Sequence, residues 1–373
     1  MTVWIQNPFD GLPSEGGRKQ RYWLMSEAFL RAGHRVVYWT TDFSHATKGR
    51  RPPVPPDAVP GGMELRLVPT RPYPSNVCLA RQRSHRAYAA EWRRMAFADP
   101  GERPSLVVTS MPTISAAEAA LDVARHYGAR VVVDVQDAWP ETFERLFPRC
   151  ARPIARAALA PWRRRARRIY HEADVVTGVC DRYRGLTGRS DYYRAYLGIE
   201  RAGEAAPRRA PDGPVRLVYA GNLGRSYDLG TVVKAVGDDP TMELDVAGFG
   251  EFSSDCPRVR FHGLLSASAL AELYSQCDVG VIPMRDESWV GVPNKMFDYA
   301  AAGLRIVSSL GGETSALIAK YGCGASYAPG DAASFAEAVR NCGGIGRGAS
   351  LALCEAEFDA VKIYDDYVQR ILT

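Results

Sequence analysis

Residues 293–303 read PNKMFDYAAAG and run directly into LRIVSS at 304–309. The first stretch opens a short helix whose AAAG end lets it pack closely against a strand and stop at Gly303. The apolar LRIVSS supplies that strand, so the pair is one helix–strand step of an α/β domain. Lys295 and Asp298 stand three residues apart and share one helical face. That arrangement sets a cation where a diphosphate would sit and a carboxylate where a ribose diol would be held. Such a pair also occurs on ordinary surface helices, so the rest of the chain has to decide.

Outward from this stretch, strand and helix signals alternate. VRLVYAG (215–221), MELDVAG (242–248) and DVGVIPM (278–284) read as strands, with helices over 227–236, 267–276 and 295–302 and near 313–320 and 332–341. Residues 201–214, RAGEAAPRRAPDGP, have the composition of a linker. Ahead of them the alternation is repeated. Residues 2–6, RVVYWTT, ELRLV, SLVVT, RVVVDV and DVVTGV are strand candidates, and helical spacing recurs over 18–32, 80–97, 115–127 and 153–172. Residues 44–62, rich in Pro, Gly and basic residues, predict a mobile excursion. After GGIGRG (343–348) come two helical segments carrying Phe358, Tyr364 and Tyr367, the last expected to cross back onto the first domain. The expectation is a first domain over 1–200, a second domain over 201–356, and a terminal helix over about 357–373.

Composition narrows the class. The 373 residues are 46% hydrophobic and 24% charged, as in ordinary globular proteins. No apolar run approaches a membrane span, and MTVWIQNPFDG lacks the basic and apolar regions of a secretory signal, which predicts a cytoplasmic protein. Eight cysteines lie scattered without CxxC spacing, and the six histidines form no metal-ligating motif, so neither metal nor cofactor is expected. The net charge of +5 conceals an asymmetry: residues 1–200 hold 31 Lys+Arg against 20 Asp+Glu, leaving 16 against 22 for the remainder. The surplus gathers at Arg81, Arg83, Arg86, Arg93 and Arg94 and in WRRRARR at 162–168. Two readings of it stay open: solvated helix faces, or a surface facing an anionic bilayer or lipid-linked phosphate.

Ligands of open α/β sheets bind beyond the carboxyl ends of the strands. Several loops there have suitable chemistry. GLPSEGGR (11–18) offers Glu15 and the close-approach glycines Gly16 and Gly17 ahead of a helix. AGNLGRSYDL (220–229) offers Gly221, Asn222 and Arg225, a fork for phosphate oxygens. AGFGE (247–251) brings Gly248 and Gly250, and MRDESWVGVPNK (284–295) leads through Glu287, Pro293 and Asn294 into the opening stretch. In the first half, VVVDVQDAWPE (131–141) places Asp137 and Glu141 after an apolar strand, suited to a polyhydroxylated ligand or to capping the next helix.

The succession SEGG, DVQDAWPE, YAGNLG, GFGE, FHG, DVGVIP and PNKMFDYAAAG resembles GT-B fold glycosyltransferases. It is most similar to the GT4 retaining group, in the branch that builds bacterial capsule, lipopolysaccharide and other surface polysaccharides. The resemblance implies two Rossmann-like domains facing a central cleft, with the nucleotide-sugar donor on the second and the acceptor on the first. It implies that Asp298 accepts from the ribose hydroxyls and that Arg225 and Lys295 neutralise the diphosphate. Gly16 and Gly17 would donate N–H groups to phosphate or the departing oxygen; Gly248, Gly250, His262 and Gly263 would line the base and sugar pocket. Many relatives carry two glutamates eight residues apart; the first position here is Val290, leaving Glu287 as the candidate sugar contact. Asp137 is the expected acceptor-positioning group, with Glu15 and Glu141 beside the acceptor.

The function implied is a metal-independent retaining hexosyltransferase using a UDP-sugar and a lipid-linked or glycan acceptor, soluble or peripheral at the inner membrane face. A non-hydrolysing nucleotide-sugar epimerase of the same fold would need a second carboxylate near the sugar. An arginine-rich nucleic-acid-binding protein would owe nothing to Lys295 or Asp298; the glycine loops at strand ends argue against it.

Overall fold

A computed structural model describes residues 1–76, 78–200, 213–224, 226–285 and 288–373. The chain forms two compact units, Met1–Leu197 with Val361–Thr373, and Gly198–Ala360.

The first unit holds β1 (Thr2–Gln6), α1 (Arg21–Arg31), β2 (Arg35–Thr41), β3 (Phe43–Ser44), β4 (Gly49–Arg50), β5 (Met63–Val68) and α2 (Leu79–Ala98). It continues with β6 (Leu106–Met111), α3 (Ile114–Tyr127), β7 (Arg130–Val135), α4 (Arg152–Glu172), β8 (Val175–Gly178), α5 (Arg184–Thr187) and β9 (Tyr193–Arg194). Seven parallel strands lie in the order β5-β2-β1-β6-β7-β8-β9. Strands such as VVV at 131–133 are fully buried because helices cover both faces of such a sheet, which is why they lack polar alternation. The order reverses direction at β1, so the loops after β1 and β6 flank the place where such sheets bind ligands.

The second unit holds β10 (Val215–Asn222), α6 (Leu229–Asp238), β11 (Met242–Phe249), β12 (Val259–Gly263), α7 (Ala267–Ser275), β13 (Val279–Ile282) and α8 (Asn294–Ala301). Then come β14 (Arg305–Ser308), α9 (Glu313–Tyr321), β15 (Gly324–Ser326), α10 (Ala332–Asn341) and α11 (Arg347–Leu353). Its six parallel strands run β12-β11-β10-β13-β14-β15. The tight approach of α8 to the sheet depends on Gly280 of β13, where any Cβ would run into the ring of Tyr299. Tyr299 then donates to the carbonyl of Val281 (3.4 Å) and accepts from the Ala220 amide (3.1 Å). Gly303 follows the helix at φ +67°, as its stop requires.

The last helix, α12 (Ala360–Leu372), belongs almost wholly to the first unit. Its Tyr364 and Tyr367 are fully buried there. They close over a buried ion pair in which Arg21 grips Asp134 through two nitrogens (2.7 and 2.8 Å). Tyr22 and Thr177 donate to the same carboxylate (2.8 and 2.7 Å), and Arg21 also donates to the carbonyls of Ala195 and Tyr196. With every lone pair engaged, the buried charges are satisfied rather than stranded.

Two sequence expectations are corrected, and a third cannot be placed. Residues 44–62 carry ordered structure: β3 and β4 pair, and Arg51 is buried, donating to the carbonyls of Thr41 (2.8 Å) and Asp10 (2.6 Å). Proline and glycine content signalled a loop but could not show that an arginine anchors it. Helix α1 starts at Arg21 rather than at 18, because Gly16 sits at φ +82° in a preceding turn. Most of the linker expectation, 201–212, lies outside the described residues.

Candidate functional site

In the second unit the loops after β10 and β11 are locked together by glycines. A Cβ at Gly248 would run into the Gly221 carbonyl oxygen, and one at Gly250 would lie 2.7 Å from the Leu223 side chain. Gly221, Gly248 and Gly250 also hold φ of +134°, +143° and +145°, which side chains rarely adopt. Into this crook comes Lys295 from the first turn of α8. Its ammonium would lie 2.9 Å from a Cβ on Gly221, and it stands over the rings of Tyr227 (3.8 Å) and Tyr219 (4.6 Å). Lys295 is only 7% exposed, and burial pushes its pKa down to about 8, opposed by the charge of Asp298 one turn along. A buried cation beside open backbone at a helix start is arranged to receive an anion.

Around it, Pro293 is buried and caps α8, while Asn294 is exposed. Asn222 lies against Gly224, where a Cβ would come within 2.7 Å of its Oδ1. His262 has one ring nitrogen committed: Nε2 bonds to Asp245 Oδ1 (2.7 Å), which also pairs with Arg216 (2.9 Å for Oδ2). Gly263 follows at φ +65°. The expected roles of Arg225 and Glu287 fall on residues outside those described.

In the first unit the expected residues separate. Gly16 donates its N–H to Pro13 (3.1 Å), so that group is engaged in the turn rather than offered to phosphate; Gly17 is exposed, with nothing within 4 Å of its Cβ position. Glu15 is taken by Arg51 (2.5 Å), and Glu141 by Arg163 (3.1 Å). Both acids were expected near an acceptor, but the structure assigns each a guanidinium partner that sequence spacing does not reveal. Asp137 keeps its place after β7. It accepts from the Ala138 amide (2.8 Å), and burial raises its carboxyl above the ordinary range against the pull of Arg81.

Arg81 is the centre of a cluster that sequence reasoning passed over as one more basic residue. Its guanidinium lies over Trp139 (4.8 Å), Phe9 (5.2 Å) and Tyr73 (5.9 Å), and its Nε donates to His85 Nε2 (3.3 Å). Burial and the neighbouring cations push His85 down to about 3 and His45 to about 4, so both rings are neutral. The members come from the loops after β1, β3, β5 and β7 and from α2, all at one end of the sheet. The WRRRARR surplus is largely spent within the unit: Arg163 and Arg156 pair with Glu144, Arg165 with Glu118 and Arg168 with Glu172, leaving Arg164 and Arg167 exposed. Among the described residues no helix is long and apolar enough to cross a membrane, and no His, Cys, Asp and Glu cluster is arranged to hold a metal.

The Glycosyl transferase 4-like domain matches residues 16–196, and the model for Glycosyl transferases group 1 matches residues 204–342. The chain is a GT-B glycosyltransferase. Its fold is shared with sucrose-phosphate synthase from Thermosynechococcus elongatus (14% identity, TM-score 0.74), covering 100% of this chain and 98% of that one. Anabaena HepE in complex with UDP-glucose (12%, TM-score 0.66) and the lipopolysaccharide outer core galactosyltransferase WaaB (13%, TM-score 0.65) are similar over 100% of this chain and 99% of theirs. No curated protein matches the glycosyltransferase by sequence. At such identities the solved structures bear on its architecture, and the two family matches on its class.

Proposed function

We propose that this glycosyltransferase is a metal-independent retaining enzyme that moves a hexose from a UDP-sugar to a lipid-linked or glycan acceptor in surface polysaccharide synthesis. The observation that carries the donor half is Lys295: a desolvated ammonium held against the open backbone of Gly221 at the start of α8. Lys295 and Arg225 neutralise the diphosphate, Asp298 holds the ribose, and the Gly248–Gly250 turn with Gly263 bounds the base and sugar. HepE was solved with UDP-glucose, which supports UDP as the donor nucleotide. In the reaction the bond from the anomeric carbon to the diphosphate breaks through an oxocarbenium-like state, and the acceptor oxygen bonds on the same face. Asp137 positions that hydroxyl and takes its proton. Fixed cations stabilise the departing negative charge without reorganising, the effect that dominates such transfers.

Residues 1–197 then bind the acceptor and Gly198–Ala360 the donor. A peripheral membrane location rests on Arg164 and Arg167, the exposed arginines of the basic stretch that have no ion-pair partner among the described residues. Thermal shift across nucleoside diphosphates tests the reading. UDP should raise the midpoint more than GDP, and Asp298→Ala should abolish the shift while the unliganded midpoint stays put. No stabilisation by any nucleotide would end it.

A further inference from the structure

Unit 1 contains an open, shallow pocket beyond the carboxyl ends of β6 and β7, which the donor chemistry does not use. Trp139 and Trp162 line it and are linked through Phe143 (ring centroids 4.6 and 6.2 Å). Ile114 of α3, His85, Arg86 and Arg165 contribute further wall. The two arginines differ. Arg165 is held by Glu118 through two nitrogens (2.7 and 2.5 Å), whereas Arg86 is exposed and has no ion-pair partner among the described residues. His85 accepts from Arg81 at Nε2, so its proton sits on Nδ1, the donor it can offer a hydroxyl.

We propose that this pocket holds an anionic saccharide portion of the acceptor, with a sugar ring against the tryptophans and its carboxylate or phosphate on Arg86. The inference rests on unit 1 being the acceptor-binding half of a glycosyltransferase. Indole faces are flat and apolar and match the C–H faces of a pyranose, while a few polar groups fix its orientation. An unpaired guanidinium at the rim offers a planar fork, the geometry that carboxylate and phosphate take up through two parallel bonds. The excess of 31 basic over 20 acidic residues in 1–200 draws the same class of ligand.

The test uses the full chain and three probes followed by saturation-transfer NMR: methyl glucoside, glucuronic acid and glucose 1-phosphate, each with and without saturating UDP. The expected result is at least about tenfold tighter binding of one or both charged probes, unaffected by UDP. Whichever charged probe binds better identifies the anion as carboxylate or phosphate. Arg86→Gln should remove that preference, and Trp162→Phe should weaken all three probes. Equal binding of the neutral probe, no binding at all, displacement by UDP, or an unchanged preference in Arg86→Gln would each overturn the proposal. UDP affinity measured in the same samples reports separately on the donor site. Its absence in the unmodified protein would sink the donor reading without altering the probe comparison.

Discussion

Lys295 in the second unit and Arg81 in the first are both cations laid against aromatic rings, yet they reach that state by opposite routes. Lys295 meets Tyr219, Tyr227 and Gly221, all within one strand and its following loop. Arg81 meets Phe9, Tyr73 and Trp139, which arrive from loops after three different strands. A site made by one strand with its loop and one helix start keeps its chemistry in two short motifs. A site assembled from many loops leaves each contribution looking incidental. The difference also sets what each cation is for. Lys295 sits against the backbone of Gly221 and two rings at the start of α8, the arrangement from which its proposed role is argued, whereas the guanidinium of Arg81 is covered by three rings.

That contrast can be broken by experiment. The largest effect is expected at Lys295: Lys295→Met should lower kcat/KM by at least about a hundredfold, roughly 3 kcal/mol of barrier, with the circular dichroism spectrum retained. Next is Gly248→Ala, whose new methyl meets the Gly221 carbonyl in a backbone that disfavours side chains. It should cost about 2 kcal/mol of stability by denaturant titration, whereas Gly17→Ala, with open space around it, should change stability by less than about 0.5 kcal/mol. Third, the pKa of about 8 at Lys295 gives a pH signature. Below that value the free lysine is already charged, and above it nucleotide binding must take up a proton. UDP affinity by calorimetry should therefore be flat from about pH 7 to 7.5, then fall toward tenfold per unit above 8. Lys295→Met should show no such fall. A modest effect is expected at Arg81, where Arg81→Met should cost about 1 kcal/mol of stability and leave UDP affinity unchanged. A large loss of UDP affinity there would show that the two cations are not separate in function.

The same contrast explains what could be read from the sequence. The α/β alternation was legible because buried parallel strands are continuous apolar runs, and helices such as 332–341 carry complete amphipathic spacing. The Lys295–Asp298 spacing was legible because helix geometry alone places the two on one face. The partners of Glu15, Gly16 and Glu141 could not be read, because Arg51, the Pro13 carbonyl and Arg163 reach them through tertiary packing or through a turn closed before the helix begins. His85 and Trp139 carried no usable signal: a lone histidine on a basic helix and a tryptophan beside a proline come together only when α2 and the loop after β7 meet. The two readings of the basic stretch at 162–168 could not be separated in the sequence because its acids, Glu118 and Glu144 among them, are not its sequence neighbours.

The second unit begins and ends at the same spot. The Ile199 amide donates to Phe358 (2.8 Å), and the Ala360 amide donates back to Ile199 (3.2 Å), so the strands entering and leaving are stitched side by side. In topological terms Gly198–Ala360 is a cassette spliced into the unit that precedes it. Trimming the carboxyl terminus therefore strips Tyr364 and Tyr367 from the amino-terminal fold, while the cassette, continuous in sequence, is the half that can be cut out whole.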